Sequence, residues 1–106
     1  YFDGGRPLGY YWGLRFEWDE QKSQRCFSER GFDFAYASHA FVDPYQLVNI
    51  DSRWEYGEQR FQLMGQIDGR LFVVVFAERV ASIRIISARK ANQRETRFYE
   101  QQPRPL

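Results

Sequence analysis

The chain has 106 residues, a formal net charge of +1, and 43% hydrophobic and 19% aromatic residues. This is enough apolar material for one folded domain, in too short a chain for two, and the aromatic content excludes a disordered chain. Cys26 is the only cysteine, which excludes an internal disulfide and points to a reducing cytoplasm. The longest apolar run, Leu71–Ala77, falls far short of the ~20 residues that span a bilayer, so a soluble protein without membrane contact is expected.

Residues 1–14 mix glycines and aromatics without a period of 2 or 3.6 and read as a loose leader. No methionine heads it, which fits either a processed or trimmed product or residues added ahead of the native chain. Arg15–Trp18 alternates polar with aromatic residues, as a short strand does. Asp19 then caps a helix over Glu20–Arg30 that Gly31 stops, with Cys26 and Phe27 as its apolar anchors. Asp33 is placed to cap a second short helix, whose Phe34, Ala37 and Phe41 share a face until Asp43-Pro44 ends it.

Tyr45–Asp51 is a weak strand pattern, and Ser52–Gly57 is a polar loop carrying Trp54 and Tyr56. Gln59–Ile67 reads as a strand with Phe61 and Leu63 on one face and Arg60, Gln62 and Met64 on the other. Asp68-Gly69 is a strong hairpin turn into Leu71–Ala77, a run apolar on both faces and hence the central strand. Glu78–Ala81 connects it to a last strand, Ser82–Lys90, in which Arg84 and Arg89 are expected to face opposite sides. Asn92 and Glu95 form a capping-box pair for a final helix, with Phe98 expected to face the sheet and Pro103 and Pro105 ending it. Strands and helices thus share one domain, with the apolar run Leu71–Ala77 as its central strand.

Charge is distributed unevenly. Within residues 79–97, Arg79, Arg84, Arg89, Lys90, Arg94 and Arg97 stand against Glu95 alone; six less one gives +5, and the chain total of +1 leaves −4 elsewhere. A basic region on an acidic remainder suits phosphate. Arginine pairs two phosphate oxygens at once through its planar, always-charged fork.

Arg60, Arg79, Arg84 and Arg89 come from strands or turns of one sheet, so two or three can meet at one phosphate. Glu58 is a candidate base and Tyr99 a candidate donor, which gives Glu58, Arg60, Arg79, Arg89 and Tyr99 as catalytic candidates. Arg84, Lys90, Arg94 and Arg97 are candidates for holding RNA. The competing structural reading pairs Arg84 or Arg89 with Glu58 or Glu95 to tie sheet to helix, makes Glu58 an ion-pair member, and packs Tyr99 in the core. His39 reads as an ordinary surface or partly packed residue, with catalysis the lesser reading. Cys26 and His39 are too few for a nitrogen and sulfur metal site, and no P-loop or dinucleotide fingerprint is present, so no metal or cofactor is expected.

Phe16-Glu17-Trp18-Asp19-Glu20 with Lys22 and Gly31, Phe41 before Asp43-Pro44, Glu58 with Arg60, Gly65, Val73-Val74-Val75, Arg79, Arg84–Arg89 (RIISAR), Glu95 and Tyr99 occur in the order of a known pattern. The chain resembles the BrnT family of ribonuclease toxins over residues 15–101. The resemblance implies an α+β, RelE-like fold, one small twisted antiparallel sheet with helices packed on it over residues 15–101 and a tail over 102–106. It further implies metal-independent RNA cleavage that inhibits translation, in which the 2′-hydroxyl is the nucleophile and a proton acceptor, a proton donor and cations for the phosphorane are needed, and a cognate DNA-binding antitoxin that neutralises the toxin by direct contact, so that DNA is met only through the antitoxin. The chain departs from the pattern at Cys26 and Glu29-Arg30-Gly31, where the family usually has Asn and then Lys-His-Gly. That departure motivates the alternative of a catalytically inactive toxin-fold protein that binds an antitoxin or RNA.

Overall fold

The computed structural model describes residues 14–52 and 57–104. The leader, apart from Leu14, and the aromatic loop residues Trp54 and Tyr56 lie outside the described residues, as does Pro105. Along the chain run β1 (Phe16–Trp18), α1 (Glu20–Arg30), α2 (Phe34–Ala37), a 3-10 turn (Ser38–Val42), β2 (Leu47–Ile50), β3 (Phe61–Ile67), β4 (Arg70–Glu78), β5 (Ile83–Lys90) and α3 (Gln93–Gln101). The strands form one sheet in the order β1-β5-β4-β3-β2, with β4 at the centre as its unbroken apolar run requires. The α+β architecture is thus the expected one. Four strands are antiparallel, and β1 adds itself to the edge in parallel with β5, because α1 and the elements after it form the crossover that a parallel pair needs.

Local chemistry sets the ends of the elements. Asp19 accepts from the backbone of Gln21 and Lys22, and Gly31 closes α1 in the left-handed region at φ 87°. Asp68 and Gly69, with φ of 50° and 81°, turn β3 into β4, which is the conformation a primed two-residue turn demands. Asn92 and Glu95 form a reciprocal capping box on α3.

The sheet carries a core on each face. On one, Phe72, Val74 and Phe76 of β4 pack with Cys26, Phe34 and Phe41 under α1, α2 and the 3-10 turn. On the other, Leu71, Val73 and Met64 pack against Tyr99 of α3. Two expected anchors differ. Phe27 is 59% exposed and Phe98 49% exposed. The buried residues of α1 are Ser23 and Cys26, since Ser23 accepts from the Phe34 backbone and stitches the start of α2 to α1. Tyr99 replaces Phe98 because its hydroxyl has a buried partner, described below. Gly65 lets the 3-10 turn lie directly on β3: a Cβ there would come within 2.4 Å of the Ala40 carbonyl oxygen.

One irregularity governs the site. Phe76 pairs with Ile85 but Val75 with Ser87, so Ile86 is an extra residue and β5 carries a bulge. The bulge reverses the alternation of sides beyond it. Arg84 stands opposite Ala77 and Arg89 opposite Val73, two residues of one face, so the expectation that these arginines face opposite sides is corrected: they share the α3 face.

Candidate active site

The open half of the α3 face gathers charge from three segments. Parallel pairing sets Glu17 of β1 opposite Arg84 of β5. The β4–β5 turn, closed by a 2.8 Å bond from the Arg79 N–H to the Ser82 carbonyl, brings Arg79 over the same surface. Glu58 and Arg60 enter from the segment just before β3. Arg79 Nη1 lies 2.5 Å from Glu58 Oε2. Arg79 Nε lies 3.9 Å from Glu17 Oε2, and Arg84 Nη1 donates to that same oxygen at 3.2 Å. Ser82 Oγ donates to Glu17 Oε1 at 3.1 Å. Arg60 makes no ion pair with another described residue, though its charge reaches Glu58.

Among the described residues three arginines face two carboxylates here, a surplus of one positive charge. That is the balance one phosphodiester anion would neutralise. The hydrogen bond from Arg79 holds the Glu58 carboxyl below the usual carboxylate range, with Arg60 and Arg84 adding to the effect and partial burial opposing it. Conversely, Glu58 pushes the Arg79 guanidinium up. The structure therefore brings together Glu58, Arg60, Arg79 and Arg84 from the expected set. It adds Glu17, which the sequence places in a short strand and in the family-like run Phe16–Glu20 but not among the site residues, because no local rule connects that run to β5.

The remaining candidates lie elsewhere. Arg89 holds Glu95 with both ends of its fork, at 2.9 and 2.8 Å, and this bond is the chief cause of the lowered Glu95 pKa. Since Glu95 also accepts from the Asn92 N–H at 2.9 Å, Arg89 ties β5 to the start of α3, as the structural reading had it. Tyr99 is 2% exposed, and its hydroxyl donates to the buried Asp43 carboxylate rather than turning to the arginines. Burial and the bond to Asp43 push the phenol up to about 12. Lys90, Arg94 and Arg97 are exposed. His39 packs edge-on against Tyr36, and burial lowers its pKa. Among the described residues no three His, Cys, Asp or Glu side chains stand close enough to hold a metal ion, and no helix is long and apolar enough to cross a membrane.

The family model described as ribonuclease toxin, BrnT, of type II toxin-antitoxin system matches residues 18–95. The chain belongs to the BrnT family. No curated protein matches it. As a type II toxin it has an antitoxin as partner. The match takes in α1 through β5 and the start of α3, and hence Glu58, Arg60, Arg79, Arg84, Arg89 and Glu95; Glu17 and Tyr99 fall just outside it.

Proposed function

We propose that this BrnT chain is an endoribonuclease that cuts RNA without a metal at the cluster of Glu58, Arg60, Arg79 and Arg84. The observation that supports the reading is the gathering of three arginines from separate segments around the carboxylates of Glu58 and Glu17 on an exposed face. Glu58 takes the proton of the 2′-hydroxyl, and that oxygen attacks the adjacent phosphorus. The arginines hold the phosphorane oxygens, and the 5′-oxygen leaves with a proton from water, giving a 2′,3′-cyclic phosphate and a 5′-hydroxyl.

The ion pair gives this chemistry a trigger. In the free protein Arg79 keeps Glu58 a weak base. When a phosphate draws Arg79 to itself, Glu58 loses its chief partner and its proton affinity rises toward that of an ordinary carboxylate, at the moment a base is needed. Glu17 acts as a positioning residue by holding Arg84 and Ser82. Arg89 and Tyr99 act at one remove by fixing α3, while Lys90, Arg94 and Arg97 steer the RNA backbone. Cleavage of cytoplasmic RNA would inhibit translation, and a DNA-binding antitoxin that covers the arginines would prevent it.

The test is incubation of the purified protein with RNA in EDTA, followed by analysis of the new ends. Cyclic phosphate ends are expected, with cleavage slowed on the order of 10²–10³ by Arg79→Ala; intact RNA at every protein concentration refutes the proposal. A second reading, a toxin fold that binds antitoxin or RNA without cutting, is favoured by the fact that Arg79 and Arg84 are each already paired to a carboxylate. It predicts no growth arrest when the chain is expressed without its antitoxin.

A further inference from the structure

The opposite face of the sheet holds a cleft of about 540 Å³ between the end of α1, the start of α2 and the β3–β4 turn, a size that suits a small organic ligand. Phe32, Tyr36 and Phe72 form its aromatic wall, Phe72 meeting Phe32 and Tyr36 edge to face at 4.9 and 5.7 Å and Phe32 lying tilted to Tyr36 at 6.3 Å. Phe27 stands on its rim, 59% exposed. An exposed phenylalanine beside a packed aromatic cluster leaves π-faces on which a flat ring can stack.

The polar lining is of two kinds. Arg30, Arg70 and Lys90 are the cations. Their engagements are light: Arg30 meets Glu29 at 3.9 Å on the surface and reaches the Cys26 thiol, Arg70 donates to the Ala91 carbonyl, and Lys90 makes no ion pair with a described residue. Asp33 and Asp68 are the anions. Asp33 Oδ1 accepts from the Tyr36 N–H and Asp68 Oδ2 from the Tyr36 hydroxyl, and the second oxygen of each has no hydrogen bond among the described residues.

A ligand that uses all of these features carries a flat ring with an amino group for the carboxylates and an anion for the cations. We propose that the cleft binds one nucleotide unit, the base stacked on Phe27 and Tyr36 and the phosphate set among Arg30, Arg70 and Lys90. An acidic peptide fits less well, because it brings only acceptors and the two aspartates repel it. Adenine, cytosine and guanine carry exocyclic amines and uracil has none, so the site prefers the first three.

This inference rests on the RNA-directed reading above and deepens it. Lys90 pairs with Phe72 and Arg84 with Ala77, five residues apart on β4, which at ~3.3 Å per residue sets Lys90 about 17 Å along the sheet from Arg84. The cleft would then hold a part of the chain remote from the cut and lend longer RNA its affinity.

The test is backbone amide NMR on the full chain, titrated with AMP, with UMP, and with an oligoribonucleotide made uncleavable by 2′-O-methylation. Shifts at residues 30–33 and 68–72 are expected with AMP, weaker with UMP, and weakened about five-fold or more by Phe27→Ala. Arg30→Ala, also at an exposed position, should weaken binding independently, and both variants must first give the wild-type amide spectrum away from the cleft. An oligonucleotide that binds tighter than AMP assigns the site to RNA, whereas equal binding assigns it to free nucleotides. Unmoved cleft amides, indifference to both substitutions, or tighter binding of a glutamate-rich peptide would each overturn the proposal. Because the ligands are not cut, a protein inactive toward RNA can still show the cleft shifts, so failure of the catalytic reading is seen separately.

Discussion

Replacing Tyr99 with Phe separates a catalytic tyrosine from a structural one. Phenylalanine keeps the ring that packs against Met64, Leu71 and Val73 and removes only the hydroxyl. Asp43, 8% exposed, accepts from the Tyr45 N–H at 2.9 Å, from the Gln66 N–H at 2.8 Å and from Tyr99. The substitution therefore removes one of three donors from a buried carboxylate.

A hydrogen bond to a charged acceptor contributes about 1.5–3 kcal/mol, which for a domain of this size lowers Tm by about 7–13 °C. The pKa, raised by burial first and by Asp43 second, sets how this stability depends on pH. Tyr99 is raised from 10 to about 12, and two units correspond to about 2.7 kcal/mol. Since the folded value lies above the unfolded one, this stabilisation is complete below pH 10 and is lost as pH rises through about 12. Urea denaturation of the two proteins at pH 8 and pH 11 reads both effects: the gap between them should be near its full value at pH 8 and roughly halved at pH 11. Equal stabilities at pH 8, together with a hundred-fold fall in the cleavage rate, would show that Tyr99 transfers a proton in the reaction and would refute the structural assignment.

Three further outcomes are expected. Gly65→Ala forces a methyl group against the Ala40 backbone at 2.4 Å, where no side chain can swing aside, and should cost about 1–3 kcal/mol in a thermal melt. Glu17→Gln should barely move Tm, because its ion pairs are a third or more exposed; it should tighten RNA binding by removing a negative charge and yet lower kcat, because Arg79 and Arg84 are no longer held. In pH–rate profiles, the acid limb of kcat/KM, which reports the free protein with Glu58 lowered by Arg79, should lie at lower pH than the limb of kcat, where phosphate has taken Arg79. Coincident limbs would count against Glu58 as the base.

What could be read from the sequence was set by neighbours in the chain. Asp19, Gly31, the Asp68-Gly69 turn and the Asn92–Glu95 box act within a few residues, so their chemistry shows in the order of the letters. The central place of β4 was legible because a strand buried on both faces needs a continuous apolar run. Phe27 and Phe98 were misjudged because hydrophobicity alone does not fix which turn of a short helix is buried: Ser23 and Tyr99 win those places through bonds to Phe34 and Asp43, which are distant in sequence.

The site lies wholly in the second class. Glu17 meets Arg84 only because β1 pairs in parallel with a strand far along the chain. Arg84 and Arg89 share a face only because Ile86 bulges, and the bulge has no glycine to announce it. From there, partners divide the arginines. α3 brings Glu95 to Arg89 and takes it into the scaffold, whereas Arg79 and Arg84 meet carboxylates only on an exposed surface, where a phosphate can displace them. A run of positive charge in the sequence thus becomes two kinds of arginine, and the division between them is made by pairing and register.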